Sequence, residues 1–146
     1  MKILIDADGC PVVDISIKIA AEYNLDCVII CDTSHIFDKT GATTITVSKG
    51  NDSVDFALVN TLFPGDVAVT QDYGLAAMCL AKRAVPISQD GMIYTDDNID
   101  ALLNMRHMSQ KARMSRSKIR GGKTAKRTAK QDEDFAMSLR KLVSHG

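Results

Sequence analysis

Four aspartates occupy positions from which acidic side chains could do chemistry together. Asp6 and Asp8 follow one short apolar run, Asp72 follows another, and Asp55 lies in the first turn of a predicted helix. Acids just beyond the strands of an open α/β sheet face the crevice where such proteins bind ligands. Carboxylates crowded there repel one another unless a proton or a cation intervenes, and hard oxygen ligands suit Mg²⁺ or Mn²⁺. We therefore expect these four residues to form a metal site.

Carboxylates that hold one or two divalent cations can activate water and stabilise the charge that builds on a phosphate during in-line displacement. The chemistry expected of the four aspartates is therefore cleavage of a phosphodiester bond, with the same residues as catalytic groups. A simpler alternative is that Asp8 and Asp72 each cap a helix. Capping explains each acid separately, whereas a metal site explains why acids recur at three strand-to-helix transitions.

A basic segment, defined as residues 104–131, supports the expectation of a nucleic-acid partner. The chain is neutral overall, but residues 1–103 carry six basic and fifteen acidic residues, and the basic segment carries ten basic residues and no acid. Such segregation is typical of an arm that contacts phosphates, although a solvated helix and loop would also explain it. The expected phosphate contacts are Arg106, Lys111, Arg113, Arg116, Lys118, Arg120 and Lys123.

Length and composition limit the class of protein. A chain of 146 residues is about one domain long, and we expect residues 1–146 to form a single domain. No apolar run resembles a signal sequence or a membrane span, so we expect a cytoplasmic protein without a membrane partner. Four cysteines without a Cys-x-x-Cys pair predict reduced core thiols. Cys10 beside Pro11 is an alternative nucleophile, but no histidine lies near it in sequence.

The elements that must position the acids alternate between strand and helix, which predicts an open, mainly parallel sheet with helices on both faces. Pro11 is expected at the first position of the first helix, Asp52 at the N-cap of the second, and residues 96–98 as the cap of the fourth. Gly121 and Gly122 are expected to end that fourth helix, and a last amphipathic helix is expected from about residue 132. The predicted strands are residues 1–5, 27–31, 44–47, 67–70 and 85–87, and the predicted central helices are residues 53–62 and 73–83.

The chain resembles a known family in several motifs. They are the opening residues 3–12, Asp52-x-x-Asp55-Phe56, residues 65–66 with residues 70–76, residues 98–100, Arg106 and Asp134-Phe135. Together they resemble the bacterial YaiI/YqxD family, which is distantly similar to PIN-type nuclease domains. The resemblance implies a PIN-like fold, a Mg²⁺ or Mn²⁺ cofactor and RNA as the substrate, with Asp6, Asp55, Asp72 and Asp8 as site residues. The sequence departs from the pattern at Gly9, where alanine is expected, and after Lys123, where a Gly-Pro pair is expected.

Two other functions remain open from the sequence. A hydrophobic strand followed by Asp6-x-Asp8-Gly9 is also similar to the haloacid-dehalogenase phosphatase signature, in which the first aspartate is the nucleophile and the second the general acid. That reaction requires a lysine, for which Lys49 and Lys82 are the candidates, and a late acidic motif that Asp66 mimics. The third hypothesis is a nucleic-acid-binding domain without catalysis, because ligands in a sequence do not demonstrate turnover.

Overall fold

The computed structural model describes residues 1–34, 38–50, 53–115 and 126–145, and these residues contain five strands and five helices. For residues 106–115 only the backbone is described. The elements are β1 (Lys2–Asp6), α1 (Val13–Glu22), β2 (Asp26–Asp32), β3 (Thr43–Val47), α2 (Ser53–Thr61), β4 (Val67–Val69), α3 (Tyr73–Ala81), β5 (Val85–Ile87), α4 (Asp96–Ser115) and α5 (Ala129–Ser144).

The five strands form one sheet in the order β3-β2-β1-β4-β5, and every neighbouring pair is parallel. Side chains of β1 alternate between the two faces, as the period of a strand requires. Ile3 and Ile5 pack into one buried cluster with residues of α1 and α5, whereas Leu4 packs into a second with residues of α2 and α3. Helices therefore cover both faces, and the predicted open parallel α/β architecture is confirmed.

Helix starts are where the structure departs from the sequence-based expectations. Helix α1 begins at Val13, two residues after Pro11, and no side chain caps it, so neither Pro11 at the first position nor Asp8 as its cap is correct. Before α4, the Thr95 amide donates to Asn98 Oδ1 over 2.8 Å and the Asn98 amide donates to Thr95 Oγ1 over 3.2 Å. This reciprocal pair makes Thr95 the cap of α4, so residues 96–98 form the first turn of the helix and do not cap it. The proposed cap Asp52 and the proposed break at residues 121–122 lie outside the described residues.

The last helix begins three residues earlier than expected. Thr128 caps α5 through a capping box with Gln131, and α5 starts at Ala129 rather than near residue 132. Its apolar stripe is nevertheless core packing, as predicted, because Phe135, Leu139 and Val143 are buried against the α1 side of the sheet. The acidic run at residues 132–134 is part of the first turns of α5 and does not start it.

Three of the four cysteines are buried thiols, as predicted: Cys27, Cys31 and Cys79. Cys27 and Cys31 lie in the same buried cluster as Ile29 between them, so both face one side of β2.

Among the parts of the chain that the structure describes, no helix is long and apolar enough to cross a membrane.

Candidate functional site

The carboxyl ends of β1 and β4 lie side by side at the centre of the sheet. The chain winds outward from β1 through β2 to β3, and then returns to place β4 and β5 on the other side of β1. A crevice forms outside the strand ends at such a reversal, because the following connections leave in opposite directions. Asp6 is the last residue of β1, and Thr70 directly follows β4. The fold therefore positions these two residues at its natural ligand-binding point.

The four predicted acids line adjoining cavities around this crevice. Asp6, Asp8 and Asp72 line a cavity of about 430 Å³ together with Gln71 and Tyr73. The same three acids also line a cavity of about 280 Å³ that includes Asp55 from the first turn of α2. The sequence thus correctly indicated that acids from three strand-to-helix transitions share one cleft.

Asp32 is a fifth acid of this cleft, and the sequence analysis missed it. It is the last residue of β2 and lines the cavity of about 280 Å³. Its Oδ1 accepts a hydrogen bond from the Ser34 amide over 2.8 Å and also one from the Ser34 hydroxyl. The signal was present, because Asp32 ends an apolar strand in the same manner as Asp6 does.

Asp6 is the acid whose protonation is most changed by the fold. Desolvation by burial raises its pKa most, the Thr70 hydrogen bond lowers it, and the negative charges of Asp55, Asp72 and Asp8 raise it further. The result is a pKa of about 6, against an ordinary value of 3.8. Perturbation of this kind in a cleft is typical of functional sites. Asp6 can therefore exchange a proton close to neutral pH.

Thr70 connects Asp6 to Asp72, although no pattern in the sequence singles it out. Its hydroxyl donates to Asp6 Oδ2 over 2.9 Å and accepts from the Asp72 amide over 3.0 Å. The Thr70 carbonyl accepts from the Tyr94 hydroxyl over 3.2 Å, and Thr70 is buried. A threonine at the end of an apolar strand looks like an ordinary β-former, so only the structure reveals this contact.

Asp72 caps α3, as the simpler interpretation of this residue proposed. Its Oδ1 accepts hydrogen bonds from the amides of Gly74 and Leu75 over 2.8 and 3.1 Å. An acid at this position is stabilised by the helix dipole. Capping and cleft lining do not exclude one another, because the same carboxylate also lines both larger cavities.

The kind of donor suits a hard divalent cation, but the side-chain positions do not define a site for one. Carboxylate oxygens are the ligands that Mg²⁺ and Mn²⁺ prefer. Within residues 1–34, 38–50, 53–115 and 126–145, no group of three or more His, Cys, Asp or Glu residues is arranged so that it could hold a metal ion. The acids share a cleft without converging on one point, and the metal site stays a prediction.

Cys10 does not have the properties of a nucleophile. It lines a small recess of about 60 Å³ beside Asp6, together with Thr70 and Gln89. Desolvation by burial raises the pKa of the Cys10 thiol, and this effect outweighs the lowering by the Val12 backbone hydrogen bond. The reactive form of cysteine is the thiolate, so a raised pKa opposes nucleophilic attack.

The structure describes only part of the basic segment. Arg106, Lys111 and Arg113 lie in α4, in the part whose side chains are not described, and Arg116, Lys118, Arg120 and Lys123 lie outside the described residues, as does His35. At the end of the segment, Arg127 donates to Asp132 Oδ1 over 2.6 Å, to Asp90 Oδ1 over 2.9 Å and to the Gln89 carbonyl. Arg127 therefore fastens the start of α5 to the turn beside the recess.

The fold and the cleft define an open parallel α/β protein with an acid-lined crevice at its topological switch point. The chain belongs to the YaiI/YqxD family, whose model, described as an uncharacterised bacterial family, matches residues 4–145. This membership confirms the resemblance expected from the sequence motifs.

Similar chains come from several bacteria. UPF0178 proteins of Exiguobacterium sibiricum and Clostridium acetobutylicum are 49% and 46% identical to this chain, which they match over 99% and 100% of its length and over 97% and 99% of their own. The UPF0178 protein of Ruminiclostridium cellulolyticum is 49% identical over 95% of this chain and 90% of its own. No solved structure matches the chain significantly.

Proposed function

We propose that the protein is a nuclease that hydrolyses phosphodiester bonds of RNA with the help of Mg²⁺ or Mn²⁺. The observation that carries the proposal is the position and pKa of Asp6, which lies at the switch point among the acids of neighbouring strand ends. Negative charges gathered in a crevice oppose folding unless a proton or a cation neutralises them. A divalent cation would do so at a pH where the carboxylates are ionised.

The proposed chemistry divides between the cation and the chain. A divalent cation bound by the carboxylates would stabilise negative charge on the phosphate and make a bound water more acidic. The pKa of about 6 belongs to the metal-free protein, so a bound cation would keep Asp6 ionised near neutral pH and ready to serve as its ligand. Asp72 is held in place by its cap contacts, and the Thr70 hydroxyl fixes one oxygen of Asp6. Ligation of one ion would require the carboxylates to reorient toward each other.

Two residues that the phosphatase alternative would use, Lys82 and Asp66, are engaged elsewhere. Lys82 donates to the carbonyls of Val59 and Leu62 over 2.6 and 2.7 Å, so it satisfies the end of α2. Asp66 pairs with Lys2 over 2.6 Å. Because Lys2 begins β1 and Asp66 precedes β4, this pair lies at the amino edge of the sheet, opposite the cleft.

Electrostatics also explains the role of Asp66. Desolvation raises its pKa, but the Lys2 side chain and the amides of Phe63 and Lys2 outweigh that effect and hold the pKa below its ordinary value. A permanently ionised, paired carboxylate at the far edge serves to join β1 to the α2–β4 connection. It does not serve as the late acidic motif of a phosphatase.

RNA as the substrate rests on charge and on the family resemblance. The basic segment provides ten cations in residues 104–131 without an acid. Among the side chains of the segment that the structure describes, two are engaged in ion pairs, since Arg127 contacts Asp90 and Asp132, and Lys130 lies 3.3 Å from Asp134. The others would neutralise backbone phosphates while the acids of the cleft act on the scissile one.

The direct test compares two phosphate esters in the presence of Mn²⁺. We expect the protein to cleave a short fluorescent RNA faster than an aryl phosphate monoester, and Asp6→Asn to slow RNA cleavage by about a hundredfold or more. Asp26→Asn is the matched control, because Asp26 is exposed at the opposite end of β2. Monoester preference with a beryllofluoride adduct on Asp6 would establish the phosphatase, and RNA binding without cleavage would establish the non-catalytic domain.

A further inference from the structure

The cavity of about 430 Å³ is lined by side chains of two chemical kinds. Asp6, Asp8 and Asp72 are acidic, whereas Gln71 and Tyr73 are neutral and can contact a ligand through an amide and an aromatic ring. A volume of this size falls within the range of pockets that hold small organic ligands. The proposed hydrolysis gives a role only to the acids, and the two neutral residues are available for another part of the substrate.

The ring of Tyr73 is held in a defined position. It meets the ring of Tyr94 edge to face, with centroids 5.9 Å apart and planes inclined by 65°. Tyr94 is buried, and its hydroxyl donates to the Thr70 carbonyl over 3.2 Å, which anchors it behind the cleft. Tyr73 itself is only partly buried and packs against the buried cluster of Ala76, Tyr94 and Ile99. An aromatic ring fixed in this way can stack on a ligand at little cost in conformational entropy.

The side chain of Gln71 is oriented by the turn that follows β5. Its Oε1 accepts a hydrogen bond from the Gln89 amide over 3.0 Å. The contact fixes the oxygen end of the side chain on the Gln89 amide, and the NH₂ group, which can only donate, makes no hydrogen bond among the described residues. Gln71 is exposed and lines the cavity beside Tyr73, where a hydrogen-bond donor is available to a ligand.

We infer that Tyr73 and Gln71 form a nucleobase subsite beside the acids, in which Tyr73 stacks on the base and Gln71 donates to one of its acceptors. The inference deepens the proposed nuclease function and rests on it for the nature of the natural ligand. Every base has a π-face, so stacking accepts any sequence, whereas a base inside a duplex has both faces covered by its neighbours. The subsite therefore takes an unpaired nucleotide next to the phosphate that is cleaved.

Adenosine is the probe for this subsite, because it carries a base and no phosphate. Adenosine binding needs neither a cation nor hydrolysis, and the three aspartates of the cavity do not repel adenosine because it is uncharged. We expect saturation-transfer NMR to show contact with the base protons of adenosine and none with free ribose, and nuclear Overhauser effects to join those protons to the Tyr73 ring. Tyr73→Leu should weaken adenosine binding by about fivefold or more, whereas Tyr73→Phe should keep it.

Matched variants separate the subsite from general damage. Tyr23→Leu makes the same change in a tyrosine that is 38% exposed at the end of α1, and it should bind adenosine as the wild type does. If Tyr73→Leu does not fold, Gln71→Ala supplies the test, because Gln71 is exposed and its truncation should leave folding intact. Gln71→Ala should weaken adenosine binding about twofold or more. Failure of the wild-type protein to bind adenosine, or binding unchanged in these cleft variants, overturns the inference.

The outcomes also distinguish this inference from the proposed function. Adenosine binding at Tyr73 without RNA cleavage would leave the subsite standing and refute the nuclease. RNA cleavage without a contribution of Tyr73 to adenosine binding would support the nuclease and refute the subsite.

Discussion

The hydroxyl of Thr70 donates a hydrogen bond to Asp6 Oδ2 over 2.9 Å while it accepts one from the Asp72 amide over 3.0 Å. The Asp72 amide can only donate, so the hydroxyl keeps its proton for the ionised Asp6 carboxylate, which can only accept. The ends of β1 and β4 are thus joined by one chain of hydrogen bonds. This chain orients the acid at the centre of the cleft and favours its charged form against the effect of burial.

Asp6→Asn should stabilise the metal-free protein at neutral and alkaline pH. Folding raises the pKa of Asp6 from 3.8 to about 6, so the folded state binds this proton more tightly than the unfolded state. The corresponding stability is fully present below pH 3.8 and is lost as the pH rises through about 6. In urea unfolding with EDTA, we expect the free energy of unfolding of the variant to exceed that of wild type by about 2 kcal/mol at about pH 8 and to equal it near pH 3.5. An equal difference at both pH values would contradict this account.

Thr70→Val should destabilise the protein by about 2 kcal/mol, because it leaves the Asp72 amide without the Thr70 hydroxyl as its acceptor. It should also raise the pKa of Asp6 further, since the Thr70 hydrogen bond lowers it. Thr70→Ser keeps the hydroxyl and should preserve the pKa. Carboxyl NMR titration measures the effect, and Thr61→Val is the control, because the Thr61 hydroxyl contacts only the Ala57 carbonyl of its own helix among the described hydrogen bonds. An unchanged Asp6 pKa in Thr70→Val would contradict the assignment.

The sequence predicted the sheet and part of the cleft, for identifiable reasons. Short apolar runs followed by acids reveal strand ends, so Asp6 and Asp72 were found without knowledge of the strand order. The alternation of strands and helices implied parallel pairing, but it did not specify that β1 lies at the centre between β2 and β4. That order is what brings Asp32 beside Asp6.

Contacts between distant residues explain what the sequence did not reveal. Arg127 belongs to the basic segment, yet it pairs with Asp90, thirty-seven positions away. Thr128 starts α5, although the acids at residues 132–134 offered a more conspicuous signal. The role of Thr70 depends on a hydrogen bond to a residue sixty-four positions away, which no local pattern encodes.

Asp72→Asn and Asp72→Ala should distinguish the contribution of helix capping to stability from that of the Asp72 charge. Asparagine accepts amide hydrogen bonds at an N-cap about as well as aspartate does, so Asp72→Asn should keep wild-type stability. Asp72→Ala should lose about 1 kcal/mol, because the amides of Gly74 and Leu75 lose their acceptor. Chemical denaturation measures both. An equal loss in the two variants would show that charge, and not capping, gives Asp72 its effect on stability.

RNA binding should depend strongly on salt. If about four to six cations of the basic segment contact phosphates, log K should fall against log salt with a slope of roughly −3 to −5. Joint replacement of Arg116, Lys118 and Arg120 by glutamine should flatten the slope by about two. The control replaces Lys18, Lys39 and Lys141, which lie outside the segment, and removes the same charge. Equal slopes for the first triple variant and the wild type would mean that the segment does not bind RNA.

Calorimetric titration with Mn²⁺ tests the central claim most directly. We expect wild-type protein and the control Asp26→Asn to bind Mn²⁺, and Asp6→Asn and Asp72→Asn to lose binding while they remain folded, because each removes one negative ligand and keeps its local hydrogen bonds. Wild-type binding should also weaken as the pH falls through about 6, where Asp6 takes up a proton. Mn²⁺ affinity that is the same in wild type, Asp6→Asn and Asp72→Asn would contradict the metal site and the hydrolase built on it.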